Sequence, residues 1–290
     1  MSGSIVQQPL HDQRSEPLSQ RVARAASRLS PAQRQVAEYL VGSGRAAMVD
    51  SASVIAERLG VSDATVVRTA QALGYSGLPE LRRTLATQTE GVTLAERLHR
   101  TLALTDDDVL TNSAHALVVS VDALLHQVSG SRFSHAVDIL DGADRLLWSG
   151  IGPSAPLAEY AAVLAGRLGR PSLALTRSGP GVADDLMAVT PSSAAVVLTY
   201  GRRHRHVEAL LQRAADRAVP VILITDVLEP ELGDRAAETL VCWRGSPGLF
   251  TSHAPTMILL EGLLMGLAQR DPERAESSLA ELEALRTLDR

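Results

Sequence analysis

The sequence predicts two folds in series: an all-α helix-turn-helix domain, then an α/β domain built on a doubly wound parallel sheet. Three observations predict this. Up to about residue 91 the apolar residues recur at helical spacing with glycine turns between the runs, and from about Ala143 five short aliphatic runs alternate with helical stretches. Aromatic residues are 3% of a chain that is 45% hydrophobic, which favours aliphatic helices and strands over an aromatic-cored β-sandwich. At 290 residues the chain is long enough for one large core or two modest ones, and its composition excludes a disordered or collagen-like polymer.

Residues 1–18, rich in Gln, Ser and Pro, lack apolar periodicity and are expected to form a mobile tail. A helix is expected near 20–29. Ser30 then starts a better-marked helix: its hydroxyl caps the first turn, Pro31 sits where a missing N–H costs nothing, and Gln33 completes a capping box. Val36, Ala37, Leu40 and Val41 supply its buried stripe, and the glycines at 42 and 44 end it. Residues 19–91 are assigned to this first domain and 92–126 to linking helices, the second opened by Asp106, Asp107 and Asp108 near its positive end. Val109, Leu110, Ala114, Leu117, Val118, Val121, Leu124 and Leu125 give that helix a wide apolar stripe, expected to bury within its own chain, with packing in a dimer as the alternative. Residues 127–290 form the second domain. Its strands are expected at 146–149, 172–176, 194–199, 219–225 and 239–243, and its helices at 154–169, 183–188, 205–218 and 253–269.

Composition removes several chemistries. All 28 residues counted as Lys+Arg are Arg, so neither a Walker-type phosphate lysine nor a Schiff-base lysine exists. The lone Cys242 makes neither an internal disulfide nor a Cys-rich zinc site, which fits a reducing cytoplasm, and no metal site or cofactor is expected. No run approaches the roughly 20 apolar residues of a membrane span, and no signal-peptide pattern opens the chain, so neither a membrane partner nor export is expected. The net charge of −5 hides an asymmetry: residues 1–91 hold 10 Arg against 8 acids, whereas 92–290 hold 18 Arg against 25 acids. The front of the chain is the plausible electrostatic face for double-stranded DNA.

The run from Ser53 to Arg68 places that face. A short helix carrying Ile55, Ala56 and Leu59 stops at Gly60, which takes the left-handed conformation that a sharp turn needs, and Ser62 caps a second helix. Burial of Val66, Ala70 and Leu73 turns Asp63, Ala64, Thr65 and Arg68 outward near its start, where such helices meet base edges. Arg68 matches the two acceptors of guanine, Thr65 a base or a thymine methyl, and the N–H groups beside Ser62 a phosphate. Arg82 and Arg83 are candidate phosphate contacts, with two plain surface arginines as the alternative.

In the second domain Gly150-Ile151-Gly152-Pro153-Ser154 leads from a strand into a helix. Gly150 and Gly152 admit an anion close to the backbone, and Ser154 offers a hydroxyl at the positive helix end. The same run fits a dinucleotide pattern, but the second strand ends in Thr176-Arg177 without the acid expected for a ribose diol, leaving only an NADP reading open. Thr199, Tyr200, Gly201, Arg202, Arg203 and His204 form the densest basic cluster. Cations at a helix start oppose its dipole and call for an anion or a nearby carboxylate. Ser252 and His253, heading the last helix of this set, either complete the pocket wall or cap the helix, and His253 lacks a neighbouring nucleophile or carboxylate for base catalysis. His115, His126 and His135 look scattered.

Over most of residues 20–285 the chain resembles the RpiR/MurR family of bacterial transcriptional regulators. The runs 29–37, 64–68 and 73–82 are similar to its helix-turn-helix domain, and Gly150-Ile151-Gly152-Pro153-Ser154 to the first phosphosugar loop of a sugar isomerase (SIS) domain of flavodoxin-like fold. The resemblance implies a homodimer or homotetramer that binds operator DNA and senses a sugar phosphate or related anionic metabolite without converting it. The family's second ligand loop reads Ser-x-Ser-Gly-x-Thr, whereas this chain has Leu198-Thr199-Tyr200-Gly201-Arg202-Arg203. Ser154 carries over as an anion contact, while Arg202, Arg203 and His204 are inferred from charge alone. The competing class is an enzyme, a sugar-phosphate isomerase or an NADP-dependent reductase.

Overall fold

The computed structural model describes residues 18–26, 28–42, 52–87, 95, 98–99, 102, 108–226, 228–244 and 251–288. The expected tail lies outside them except for Leu18, which is buried and opens the first helix instead of ending a tail. The chain divides into two compact units, Met1–Arg100 and Thr101–Arg290.

The described helices of the first unit are α1 (Leu18–Ala25), α2 (Pro31–Gly42), α3 (Ala52–Leu59), α4 (Asp63–Ala72) and α5 (Leu78–Thr87). The capping box at the start of α2 is reciprocal: the Gln33 N–H donates to Ser30 Oγ (3.2 Å) and the Ser30 N–H to Gln33 Oε1 (3.0 Å). Val36, Ala37 and Leu40 then face Ile55, Val66, Ala70, Leu73 and Leu81 in one core. Val41 departs from the expected stripe and is exposed. It stands one residue past Leu40, and the 100° step carries it off the buried face. Each fully buried Leu, Ile or Val contributes about 1.5–3 kcal/mol, so this small core is what holds the helices together.

The second unit begins with α6 (Val109–Gln127) and α7 (Gly130–Asp141), followed by β1 (Arg145–Ser149), α8 (Ala155–Arg167), β2 (Ser172–Leu175), α9 (Val182–Met187), β3 (Ser193–Leu198) and α10 (Arg205–Asp216). It continues through β4 (Val221–Thr225), the single turn α11 (Glu229–Leu232), β5 (Glu238–Val241), α12 (Ala254–Arg270) and α13 (Pro272–Arg286). The sheet is parallel in the order β2-β1-β3-β4-β5, the doubly wound arrangement that the alternating pattern predicts. Side chains on one face, including Trp148, Val196 and Ile224, pack with α6, α7, α8 and α12; those on the other, including Leu147, Val197 and Leu223, pack with α10 and α11. Burial on both faces explains why β3 and β4 are continuous aliphatic runs.

The stripe on α6 departs from expectation. Leu124 is buried and Ala114 is exposed, as are Val109, Leu110, Val118 and Leu125 at 58, 81, 65 and 72%. The helix packs against α12 and β5 along a line narrower than its apolar face. By length and composition alone, this 19-residue helix is also apolar enough to cross a membrane, a feature that the search for unbroken apolar runs passes over because Asn112, Ser113 and Asp122 interrupt it.

Candidate DNA-reading helix and effector pocket

The turn between α3 and α4 forms as its glycine predicts. Gly60 has φ +65°, and the Val61 N–H reaches back to the Ala56 carbonyl at 2.9 Å. Ser62 caps α4 by accepting from the Thr65 N–H at 3.2 Å, and its Oγ also lies 2.9 Å from Thr65 Oγ1. Ser62, Asp63, Ala64 and Arg68 are exposed, while Thr65 is half-buried and shares its hydroxyl with the cap. Arg68 folds back along its own helix, its Nε donating to the Ala64 carbonyl at 3.1 Å. That contact is exposed and releasable. At the other end of α4, buried Arg21 donates to the Leu73 carbonyl and stacks on Tyr75, fixing the angle at which the helix leaves the core. Arg82 and Arg83 lie on α5, and their side chains are outside the described residues.

In the second unit the two predicted loops stand at the carboxyl ends of adjacent strands. β1 feeds a helix on one face and β3 a helix on the other, which makes this the switch point where ligands of such sheets bind. Gly150 is packed so closely that a Cβ there would stand 2.6 Å from the Ser154 carbonyl oxygen; Gly152 has φ +54°. Ser154 is buried, and its hydroxyl makes no hydrogen bond among the described residues. In the β3 loop Gly201 has φ +72° and donates its N–H to Asp226 Oδ1 at 2.9 Å.

The basic cluster resolves into unlike parts. Arg203 pairs with Glu208 (2.6 Å), which also holds Arg235; these two cations keep the Glu208 carboxyl below its usual range. The compensation that three arginines at a helix start call for is therefore met in part by a carboxylate of α10. Arg202 and Arg205 stay exposed without a side-chain partner among the described residues. Burial first and the Arg202 charge second lower the His204 pKa. Thr199 is buried with its Oγ1 unpartnered among the described residues.

Tyr200 turns inward. Its phenol lies 2.8 Å from Thr256 Oγ1, and burial keeps its pKa well above the ordinary value. The Arg244 guanidinium stacks on the ring at 3.7 Å and the His253 ring meets it edge-on at 5.6 Å. Arg244 Nη1 donates to His253 Nε2 at 3.1 Å, which places the imidazole proton on Nδ1, 3.3 Å from Thr256 Oγ1. Burial, with Arg244 as the second cause, pushes the His253 pKa down to about 4. Ser252, one residue before the His253 N-cap, accepts from the Ala254 N–H at 3.1 Å. Arg177, the residue of the NADP reading, faces Asp184 and Asp185. Asp226, Arg244 and Thr256 were not singled out from sequence. Their signal is positional, since Asp226 and Arg244 follow closely on strand ends, but nothing in the spacing shows that they meet.

Residues 17–90 match the helix-turn-helix domain of the rpiR family. The matched segment spans the described helices of the first unit. The uncharacterized HTH-type transcriptional regulator YfhH of Escherichia coli K12 is 26% identical over 89% of this chain and 94% of its own length. The bifunctional protein glk of Paraburkholderia xenovorans is 31% identical over 158 residues, 53% of this chain. The chain spans about a quarter of that relative's length. The sugar isomerase domain of an RpiR transcription factor from Sphaerobacter thermophilus superposes with TM-score 0.55 and 25% identity over 59% of this chain and 98% of its own. The NanR protein of Vibrio vulnificus, solved with ManNAc-6P, covers 93% of this chain and 97% of its own at TM-score 0.55 and 20% identity, a likeness of fold.

Proposed function

We propose that this chain is an RpiR-type, homo-oligomeric transcriptional regulator of the cytoplasm whose α4 tip reads operator DNA and whose α/β unit senses an anionic metabolite, a sugar phosphate or a relative of one, without converting it. The observation that carries the reading is the exposed start of α4, capped by Ser62 behind a left-handed Gly60 and bearing a releasable arginine. The ligand half rests on the glycine loop at Ser154 and the β3 loop with Arg202, the side to which an anion is drawn. The ManNAc-6P held by NanR makes phosphosugars the first class to test. Against a role as general base, both nitrogens of His253 face partners within the fold. A ligand shifts DNA affinity only by its difference in affinity for two arrangements of the protein, so sensing requires that the oligomer have two.

Selection from a random duplex library followed by gel-shift titration tests the reading. A single preferred sequence, released by a phosphosugar, is the expected result. Failure to enrich any sequence would remove the regulator, and turnover of a phosphosugar by the purified chain would move the α/β unit to the isomerase class.

A further inference from the structure

Where the α/β unit buries Arg170 it supplies a carboxylate. Arg170, 3% exposed, donates to Asp141 Oδ1 at 2.5 Å and to the Asp141 carbonyl. Arg244 is treated differently. Its side chain is 13% exposed, yet the nearest carboxylate oxygen, Asp226 Oδ2, stands 3.7 Å from Nη2, beyond hydrogen-bonding range, and Asp226 already accepts the Gly201 N–H through its other oxygen. The Arg244 Nε is buried and has no partner among the described residues. Of the donors of this guanidinium, the Nη1 side donates to His253, while the Nε/Nη2 edge makes no hydrogen bond among the described residues and has only the longer ion pair with Asp226. That edge is the one that takes an oxyanion side-on through two parallel bonds. A half-buried guanidinium whose buried Nε lacks an acceptor among the described residues has lost the hydration of that donor without replacement, and such exceptions call for an explanation.

We propose that Arg244 is the ligand-selecting arginine of the effector pocket, its Nε/Nη2 edge taking a carboxylate of the ligand, with Asp226 as the counter-ion that stands beside it when no ligand is bound. The proposal rests on the sensing role given to the α/β unit above. Charge decides between carboxylate and phosphate at this edge. The ligand must sit beside Asp226, and the neighbouring imidazole adds no second positive charge because it accepts a hydrogen bond from Arg244 and titrates only at about 4. One cation beside a resident anion accommodates a monoanion better than a dianion. The stack on Tyr200 holds the guanidinium plane in place, so the fork is preorganised for a planar group. Asp226 also carries the message onward: it holds the Gly201 N–H, and a ligand that draws Arg244 away from it acts directly on the loop leading into α10.

Thermal denaturation of the full chain tests this with four probes: D-gluconate and D-glucuronate, which carry a carboxylate; D-sorbitol, which carries no charge; and D-glucose 6-phosphate, which carries only a phosphate. The two carboxylates are expected to raise Tm with concentration and sorbitol to leave it unchanged. Arg244→Lys keeps the charge but loses the fork, and is expected to weaken carboxylate affinity about 10- to 100-fold, with Arg244→Met at least as weak. Asp226→Asn removes the resident anion and is expected to tighten carboxylate binding, a gain that a merely structural role would not produce. Circular dichroism of each variant checks the fold. If glucose 6-phosphate stabilises wild type and Arg244→Lys equally while neither carboxylate acts, the arginine is not the selector and the sensing role stands. If no anion acts on any variant, both readings fall.

Discussion

Arg68 and Gly150 stand at the two proposed sites, and each makes a separate prediction. Arg68 bonds its own helix through Nε, an exposed contact exchangeable for one to DNA. Arg68→Ala is expected to cost about 1–3 kcal/mol of operator affinity, roughly 5- to 150-fold in a gel-shift titration, with an unchanged circular dichroism melt. Loss of the melt along with affinity would mean that Arg68 holds the helix and does not read a base. At Gly150 the added methyl of Gly150→Ala meets backbone of Ser154 at 2.6 and 2.9 Å, which no rotamer relieves. The loop must shift, at about 1–3 kcal/mol, and any anion-induced rise in Tm is expected to vanish. A variant that responds to anions as wild type does would place the ligand away from this loop.

Among the elements, those buried on both sides were the most legible. β3 and β4 are aliphatic throughout because helices cover both faces, and the α3–α4 turn was legible because Gly60 and Ser62 do local work that a single residue type does best. The Tyr200–Arg244–His253 group was illegible for the opposite reason: its members come from the ends of β3 and β5 and the start of α12, and only the sheet order brings them together. Likewise, three arginines after β3 suggested a bound anion because nothing in the run itself shows Glu208 turning back to Arg203. On α6 the apolar positions were legible but not what covers them. A helix whose Leu110, Val118 and Leu125 are exposed has the face that the dimer alternative requires. Val118→Glu with Leu125→Glu is expected to lower the sedimenting mass of the full chain without lowering its helix content. An unchanged mass would separate this face from oligomerisation.

For the whole molecule, pH links the pocket to stability. The His253 pKa of about 4 in the fold lies below the ordinary histidine value near 6.5, and burial lowers those of His204 and His206 as well. The unfolded chain therefore binds protons first, so stability is highest above about pH 6.5 and declines as pH falls from there towards 4. The groups facing His253 make the sign firm: Arg244 opposes a proton on Nε2, while Thr256 and Tyr200 add no charge. Glu208, held low by Arg235 and Arg203, loses its contribution as pH falls through the ordinary carboxylate range and below it, so between pH 6.5 and 5.5 the histidines dominate. Urea midpoints of wild type are expected to fall over that interval, and His253→Gln to fall less, because glutamine accepts from Arg244 without titrating. If the two proteins lost stability in parallel, His253 would not be the neutral acceptor that holds the Arg244 guanidinium against Tyr200, and the open edge of that arginine would need another cause.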